Sequence, residues 1–252
     1  MVPNPDLTPY DMQRAEPCSA RFLIRKDSGM RRLIFLSLVG GLGLAALVSL
    51  GVWQIQRLAW KGELLQTIET RIAAAPVALP DAPSETTDRY RAVRVNGEIE
   101  PGELHVFWVT KAAETGYRVI APFVTEDGRR VLLDRGFIPS AAKAEDRPIG
   151  GVTVTGNLLW PDEGDWTTPE PDTAANILYA RDIAYMSDKL GTEPVLIVAR
   201  DSAAAGITAQ PVTTAGIQNN HLQYAITWFS LALIWAAMTS YFLWRSRPKS
   251  EG

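Results

Sequence analysis

Residues 33–53, LIFLSLVGGLGLAALVSLGVW, carry no charged side chain, and neither do residues 224–243, YAITWFSLALIWAAMTSYFL. At a helical rise of ~1.5 Å per residue, each stretch covers the ~30 Å hydrocarbon core of a bilayer. Both are read as transmembrane helices. The first could instead be a cleaved signal peptide, but its apolar run exceeds the usual core of about 7–15 residues. It also ends in Val52-Trp53-Gln54-Ile55-Gln56-Arg57 rather than at a small-residue cleavage site, so an uncleaved anchor is expected. Setting the spans aside leaves, of 252 residues, one domain of ordinary size between them.

Lys and Arg near the spans set the expected orientation, because basic residues are retained on the cytoplasmic side. Arg21, Arg25, Lys26, Arg31 and Arg32 precede the first span, and Arg245, Arg247 and Lys249 follow the second. The inner flanks are sparser, with Arg57, Lys61 and Arg71 on one side and a nearly uncharged run at 202–223 on the other. Both termini are therefore expected in the cytoplasm, or in the matrix of a mitochondrion. Residues 1–28 mix Pro, Ser and charge without apolar periodicity and read as a mobile arm. The arm's scattered acidic residues do not make a mitochondrial presequence, which favours a bacterial plasma membrane over a mitochondrial inner membrane.

A net charge of -3 offers no electrostatic case for nucleic acid, and topology accounts for the basic residues. Cys18, the single cysteine, lies in the arm, so the intervening domain holds no disulfide and rests on packing. Past the first span, Trp53, Arg57, Trp60, Lys61, Leu64, Leu65, Ile68 and Ile72 recur at spacings of three and four until Pro76, which predicts a continuing stalk helix. From Tyr90 the period becomes two. Residues 91–95 precede a turn pair, Asn96-Gly97, and residues 119–124 and 130–133 flank a hairpin at Asp127-Gly128. Further strands are expected at 105–109, 152–159 and 195–199, and a helix at 182–190 with Asp182 as N-cap and Gly191 as stop.

The expected layout is a cytoplasmic arm to 32, a first span at 33–53, a stalk helix at 54–79 and a β-rich domain at 80–220. A second span at 221–243 and a short tail complete it. The fold class is a membrane protein whose two transmembrane helices flank a mainly antiparallel β (α+β) extracytoplasmic domain.

The chemistry-bearing residues are few. Only His105 and His221 exist, without H-E-x-x-H, G-x-S-x-G, Walker A or G-x-G-x-x-G, which argues against a hydrolase and for a non-enzyme. One cysteine cannot form a thiol–disulfide pair, a Cys-pair copper site or a C-x-x-C-H haem attachment. His105, in alternating His105-Val106-Phe107-Trp108-Val109, reads as structural. His221 stands one turn outside the second span, in line with Tyr224, Ala225, Trp228 and Trp235. An imidazole above an aromatic and small-residue face can be an axial ligand for a flat, apolar iron ring. It can equally cap the helix or bond a neighbouring strand, with Tyr224 and Trp228 as interfacial anchors.

Arg57 and Lys61 share a face just above the bilayer, where they can hold carboxylates such as haem propionates or contact lipid headgroups. Ser37, Gly41, Ala45 and Ser49 in the first span, and Ala232, Ala236 and Ser240 in the second, repeat at spacing four. Such stripes suit pairing of the two helices with each other or docking to a foreign subunit. In residues 132–139, Asp134 and Arg135 point to opposite faces if the strand continues, and a buried structural ion pair is expected for Arg135.

Three segments together resemble the Surfeit-locus family of cytochrome c oxidase assembly factors, in its bacterial form. They are G-x-W-Q-x-x-R-x-x-W-K at 51–61, L-x-[ND]-R-G-[FW]-[IV]-P at 132–139, and N-H-L-Q-Y-A-x-T-W-F at 220–229. The resemblance implies an integral membrane protein that aids assembly of the oxidase, with bacterial members implicated in delivering haem a to oxidase subunit I. It places His221 at the family's proposed haem a ligand, with haem a as a transient cofactor. Tyr224 and Trp228 would then shelter the ring, and Arg57 or Lys61 would meet its propionates. Expected partners are oxidase subunit I, haem a synthase as a second candidate, and membrane lipid. A protein-only scaffold that holds an oxidase intermediate open is the alternative. The long arm and Gln218, where a basic residue is expected, depart from the family pattern.

Overall fold

The computed structural model describes residues 20–201 and 204–246, with side chains from 29 onward. Cys18, Arg247 and Lys249 lie outside the described residues, as do the side chains of Arg21, Arg25 and Lys26. In chain order the elements begin with α1 (Ala20–Ala73), α2 (Glu85–Asp88), β1 (Ala92–Ile99), β2 (Leu104–Val109) and β3 (Thr115–Thr125). Next come β4 (Arg130–Pro139), β5 (Gly150–Leu159), β6 (Ile177–Leu178), α3 (Ile183–Leu190), β7 (Leu196–Ala199) and α4 (His221–Arg245). The described residues form two units, 20–61 with 219–246 and 62–201 with 204–218.

The first unit is an antiparallel helix pair. Both helices are long and apolar enough to cross a membrane, and only 6% of each apolar window is buried within the molecule. A core helix of a soluble protein would hide that surface; here it requires lipid, and the chain is a membrane protein with two spans. Along α1, Leu33, Gly40, Leu47, Gln54 and Lys61, each seven apart, are buried or half-buried, and along α4 so are Ala225, Ala232 and Thr239. This seven-residue repeat keeps one seam of each helix facing the other.

Glycines on α1 receive the bulky side chains of α4. A Cβ on Gly40 would collide with Thr239, one on Gly43 would stand 2.6 Å from the Trp235 ring, and one on Gly51 would stand 2.7 Å from the Phe229 ring. Trp235 Nε1 also donates to the Gly40 carbonyl at 2.9 Å. The two helices therefore pair with each other, as one reading of the small residues holds, but through different residues on α1. Ser37, Gly41, Ala45 and Ser49 all face outward, and Ser49 satisfies its hydroxyl on the Ala45 carbonyl of its own helix at 2.7 Å. A spacing of four drifts around a helix, whereas two long helices stay in contact only along a repeat near 3.5. On α4, Ala232 is buried and Ala236 half-buried, but Ser240 is exposed.

In the second unit α1 ends at Ala73, three residues before Pro76, so the helix stops short of the expected residue 79. The strand order β1-β5-β7-β4-β3, with β1 also paired to β3, closes a five-stranded ring. β3 is long enough to pair with β2 through residues 115–120 and with β1 through residues 123–125, and β6 extends the sheet beyond β2. Most pairings are antiparallel; β4–β7 and β2–β6 are parallel. Alternation sorts the core: Val131, Leu133 and Ile197 join Val93, Phe123 and Leu158 in one cluster. Their neighbours Leu132, Leu196 and Val198 turn to the other face, against Met186 of α3.

α3 has its expected ends, with Asp182 accepting from the Tyr185 N–H at 3.1 Å and Gly191 left-handed at φ 63°. The hairpin at Asp127-Gly128 also forms, with Gly128 at φ 83°. Asn96-Gly97 is not a turn: β1 runs through it, Asn96 accepts from Thr153 Oγ1 at 2.8 Å, and Gly97 admits the close approach of Val124 and Phe123. Pairing to two strands at once overrides the local preference of that dipeptide.

β4 carries a bulge at Arg135, since Asp134 pairs with Ile120 and Gly136 with Val119. Gly136, at φ 123°, supplies the backbone conformation that this needs. Asp134 and Arg135 then serve separate buried groups. Asp134 accepts from Arg118 Nε at 2.7 Å, Arg181 Nη1 at 3.3 Å and the Gly136 N–H at 3.1 Å. Both guanidinium groups also lie on the Trp108 ring, at 5.0 and 5.4 Å. Arg135 donates to the Pro148 carbonyl at 2.7 Å and faces Glu103 at 4.0 Å.

Glu103 further pairs with Arg147, whose Nε lies 2.8 Å from Oε1, and with His105 Nε2 at 3.0 Å. Burial raises the Glu103 carboxyl, but hydrogen bonds from His105 and Arg147 outweigh it and hold the group down at about 2. His105 is buried and structural, as its sequence setting indicates, with Asn176 Nδ2 3.4 Å from its Nδ1.

Packing at the helix seam and the acidity of Glu103 can each be checked by substitution. Gly43→Leu lowers the thermal stability of the full chain in detergent by the ~1–3 kcal/mol typical of overpacking, while Gly41→Leu, which meets nothing within 4 Å, leaves it unchanged. Because the folded Glu103 carboxyl titrates below its ordinary 4.5, its contribution is full above about 4.5 and lost as pH falls toward about 2. Glu103→Gln is accordingly less stable at neutral pH and loses less stability across that interval, measured by urea unfolding at a series of pH values.

Candidate functional site

The mouth of the helix pair is organised by two polar side chains. α4 begins at His221 directly after Asn220, which occupies the N-cap position, so the imidazole is not the cap of its own helix. Its Nδ1 lies 2.8 Å from Gln54 Oε1 on α1. Gln54 is buried, whereas its neighbours Trp53 and Ile55 are exposed at 47% and 43%. The amide is thus turned inward while the rest of that turn faces outward. A buried amide needs a partner inside the protein.

Ala225, one turn along α4 from His221, is buried, and below it the Phe229 ring rests on Gly51 of α1. Trp228 comes next on the same line and is half-buried, and Tyr224, on the flank, is 56% exposed. On α1, Lys61 is half-buried seven residues beyond Gln54, on the same side of the helix. Arg57 lies on the exposed flank, its guanidinium 4.9 Å from the Trp60 ring and 5.8 Å from the Trp53 ring. Those contacts hold the cation against its own helix, in a setting that suits headgroups and other exposed anions alike.

Of the residues singled out from the sequence, His221, Tyr224 and Trp228 share one side of α4. Arg57 and Lys61 share one helix with the residue that holds His221. Sequence reasoning gives Gln54 no role beyond its place in a motif. The available signal is an amide at the end of an apolar run, seven residues from Lys61 and on the seam that also carries Gly40.

The geometry favours one kind of chemistry. With Nδ1–H donating to Gln54 Oε1, the neutral imidazole presents an unprotonated Nε2. Among the described residues, no group of three or more His, Cys, Asp or Glu side chains could chelate a bare metal ion. A lone imidazole suits a metal whose other ligands arrive with it, as in a porphyrin.

The model of the SURF1 family matches residues 42–233, most of the chain, and spans Gln54, Arg57, Lys61, His221, Tyr224 and Trp228. The chain belongs to the SURF1 family. It is 31% identical to Surfeit locus protein 1 of Xenopus tropicalis over 79% of this chain and 71% of that protein. The human protein of the same name is 31% identical over 77% of this chain and 71% of its own length. A SURF1-like protein of Drosophila melanogaster is 30% identical over 79% and 73%. Within this SURF1 chain the matched region begins in α1 and ends in α4, so it takes in the facing ends of both helices, with Gln54 and His221, together with the whole β-rich unit.

Proposed function

We propose that this SURF1-family protein is a non-enzymatic assembly factor for cytochrome c oxidase that carries haem a as cargo and passes it to oxidase subunit I. The observation that supports this reading most is the Gln54–His221 hydrogen bond, which occupies Nδ1 of an imidazole at the end of an apolar helix and leaves Nε2 to a ligand. The residues fit such a cargo. His221 would bind the iron, the Trp228 and Tyr224 rings would cover one side of the macrocycle, and Arg57 or Lys61 would meet the propionates. A single protein ligand on a partly exposed face also suits a carrier, which must release what it binds. The protein would lie in a bacterial plasma membrane with both termini cytoplasmic, given the basic residues Arg31 and Arg32 at one end and Arg245 at the other. Haem a synthase is the natural source of the cargo.

A second reading, a protein-only scaffold for an oxidase intermediate, is favoured by the outward stripe of Ser37, Gly41, Ala45 and Ser49. These small residues are not used in the internal helix pair and suit close approach of a foreign membrane helix. The two readings separate in one experiment. The protein is purified from cells that make haem a, and the pigment of the wild type is compared with that of His221→Ala. The carrier reading predicts haem a in the wild type and its loss in the variant, with the oxidase intermediate still co-purifying. Equal haem content in both would end the ligand assignment. Colourless preparations whose oxidase partner is lost on Gly41→Leu would favour the scaffold.

A further inference from the structure

We infer that Gln54 is the positioning residue of the haem ligand: its amide oxygen selects the tautomer of His221, aims Nε2, and keeps the iron bond weak enough to break. The inference rests on the proposed carrier function and adds to it a residue, an atom and a reason for reversibility.

The geometry assigns the two ring nitrogens different tasks. Nδ1 is 2.8 Å from Gln54 Oε1, a distance at which an N–H donates and the amide oxygen accepts. In the neutral ring the proton is then on Nδ1, and Nε2 keeps the lone pair that a metal requires. Rotation of the ring is fixed as well, because Gln54 is buried at the helix seam and its place along α1 is set by the packing of Gly51 on Phe229. Ligating histidines generally donate their other N–H to an acceptor, and that acceptor governs how strongly the ring binds. A carboxylate draws the proton away and makes the imidazole a stronger donor. A neutral amide does so only weakly, which suits cargo that must leave.

A purely structural role for this contact is the competing account, since hydrogen bonds between side chains commonly join membrane helices. The two accounts differ in whether bound haem senses the chemistry of the acceptor. If the bond only joins helices, any side chain that preserves the pair leaves bound haem unchanged. If it tunes the ligand, haem properties track the acceptor while the fold stays the same.

The test uses the full chain in detergent, loaded with haem a in cells, and reads three quantities: reduction potential, rate of haem transfer to apomyoglobin, and thermal unfolding. Gln54→Glu retains an acceptor at the same reach. Burial can raise such a carboxyl to as high as about 8–9, so the measurements run across its titration. As the carboxylate forms, the potential falls and transfer slows by about tenfold. Gln54→Leu removes the acceptor, raises the potential and speeds transfer by about tenfold, within the 10–100-fold range typical of such supporting residues. Unchanged potential and transfer rate in the Glu variant at every pH would overturn the inference, even if the Leu variant failed to fold. Should His221→Ala retain its haem, the carrier reading itself fails. If that variant loses haem while the Gln54 variants do not differ from wild type, the positioning role alone fails.

Discussion

The seating of α4 side chains on the α1 backbone at Gly40, Gly43 and Gly51 is the constraint that fixes the mouth of the helix pair. In lipid no hydrophobic effect draws apolar helices together, so association depends on close packing and on hydrogen bonds formed at short range. The absent Cβ atoms at these glycines admit Thr239, Trp235 and Phe229, and the Trp235 indole then reaches the Gly40 carbonyl. The same register brings Gln54 opposite His221. A slip of one residue along the seam would part the Gln54 amide from His221 and leave a buried polar group unsatisfied, at a cost of about 1–3 kcal/mol. Packing of small residues in the bilayer and orientation of an imidazole at its edge are thus one structural fact.

The two histidines show how environment divides a single residue type between roles. His105 is buried in the β-rich unit, with Glu103 and Arg147 at one ring nitrogen and Asn176 near the other. Nothing is left for a ligand, and Glu103, itself held strongly acidic by these partners, locks the ring in place. His221 has a neutral partner, Gln54, on Nδ1. The charged groups of the β-rich unit, Asp134 with Arg118 and Arg181, and Glu103 with Arg135 and Arg147, likewise act as internal ties across a bulged strand. Removing one member of such a group exposes the cost of the charge that remains.

Much of this is legible in the residues, and the failures have physical causes. The spans are visible because a charge-free run of sufficient length has few alternatives. The short helix α3 is visible because Asp182 and Gly191 mark its ends through local chemistry alone. The seam is misplaced by sequence reasoning: Gly41 and Gly43 are the same residue type two positions apart, and only the partner helix decides which one faces inward. Asn96-Gly97 misleads because a turn preference is local, whereas the pairing of β1 with both β3 and β5 is not. Closure of the five-stranded ring, and the bulge that parts Asp134 from Arg135, depend on contacts distant in sequence. Gln54 stays hidden because its meaning lies in the 2.8 Å to a residue on the other span.

The central claim is that His221 ligates haem iron through Nε2, and the chain offers an unusually clean test because it contains only two histidines. Protein grown with nitrogen-15 histidine, loaded with haem a and reduced under nitric oxide, reports the nucleus trans to the nitrosyl in its paramagnetic resonance spectrum. The account predicts that the splitting from this nucleus changes from a triplet to a doublet on labelling, persists in His105→Gln and disappears in His221→Ala. A splitting that ignores the label, or that survives in His221→Ala, would contradict it.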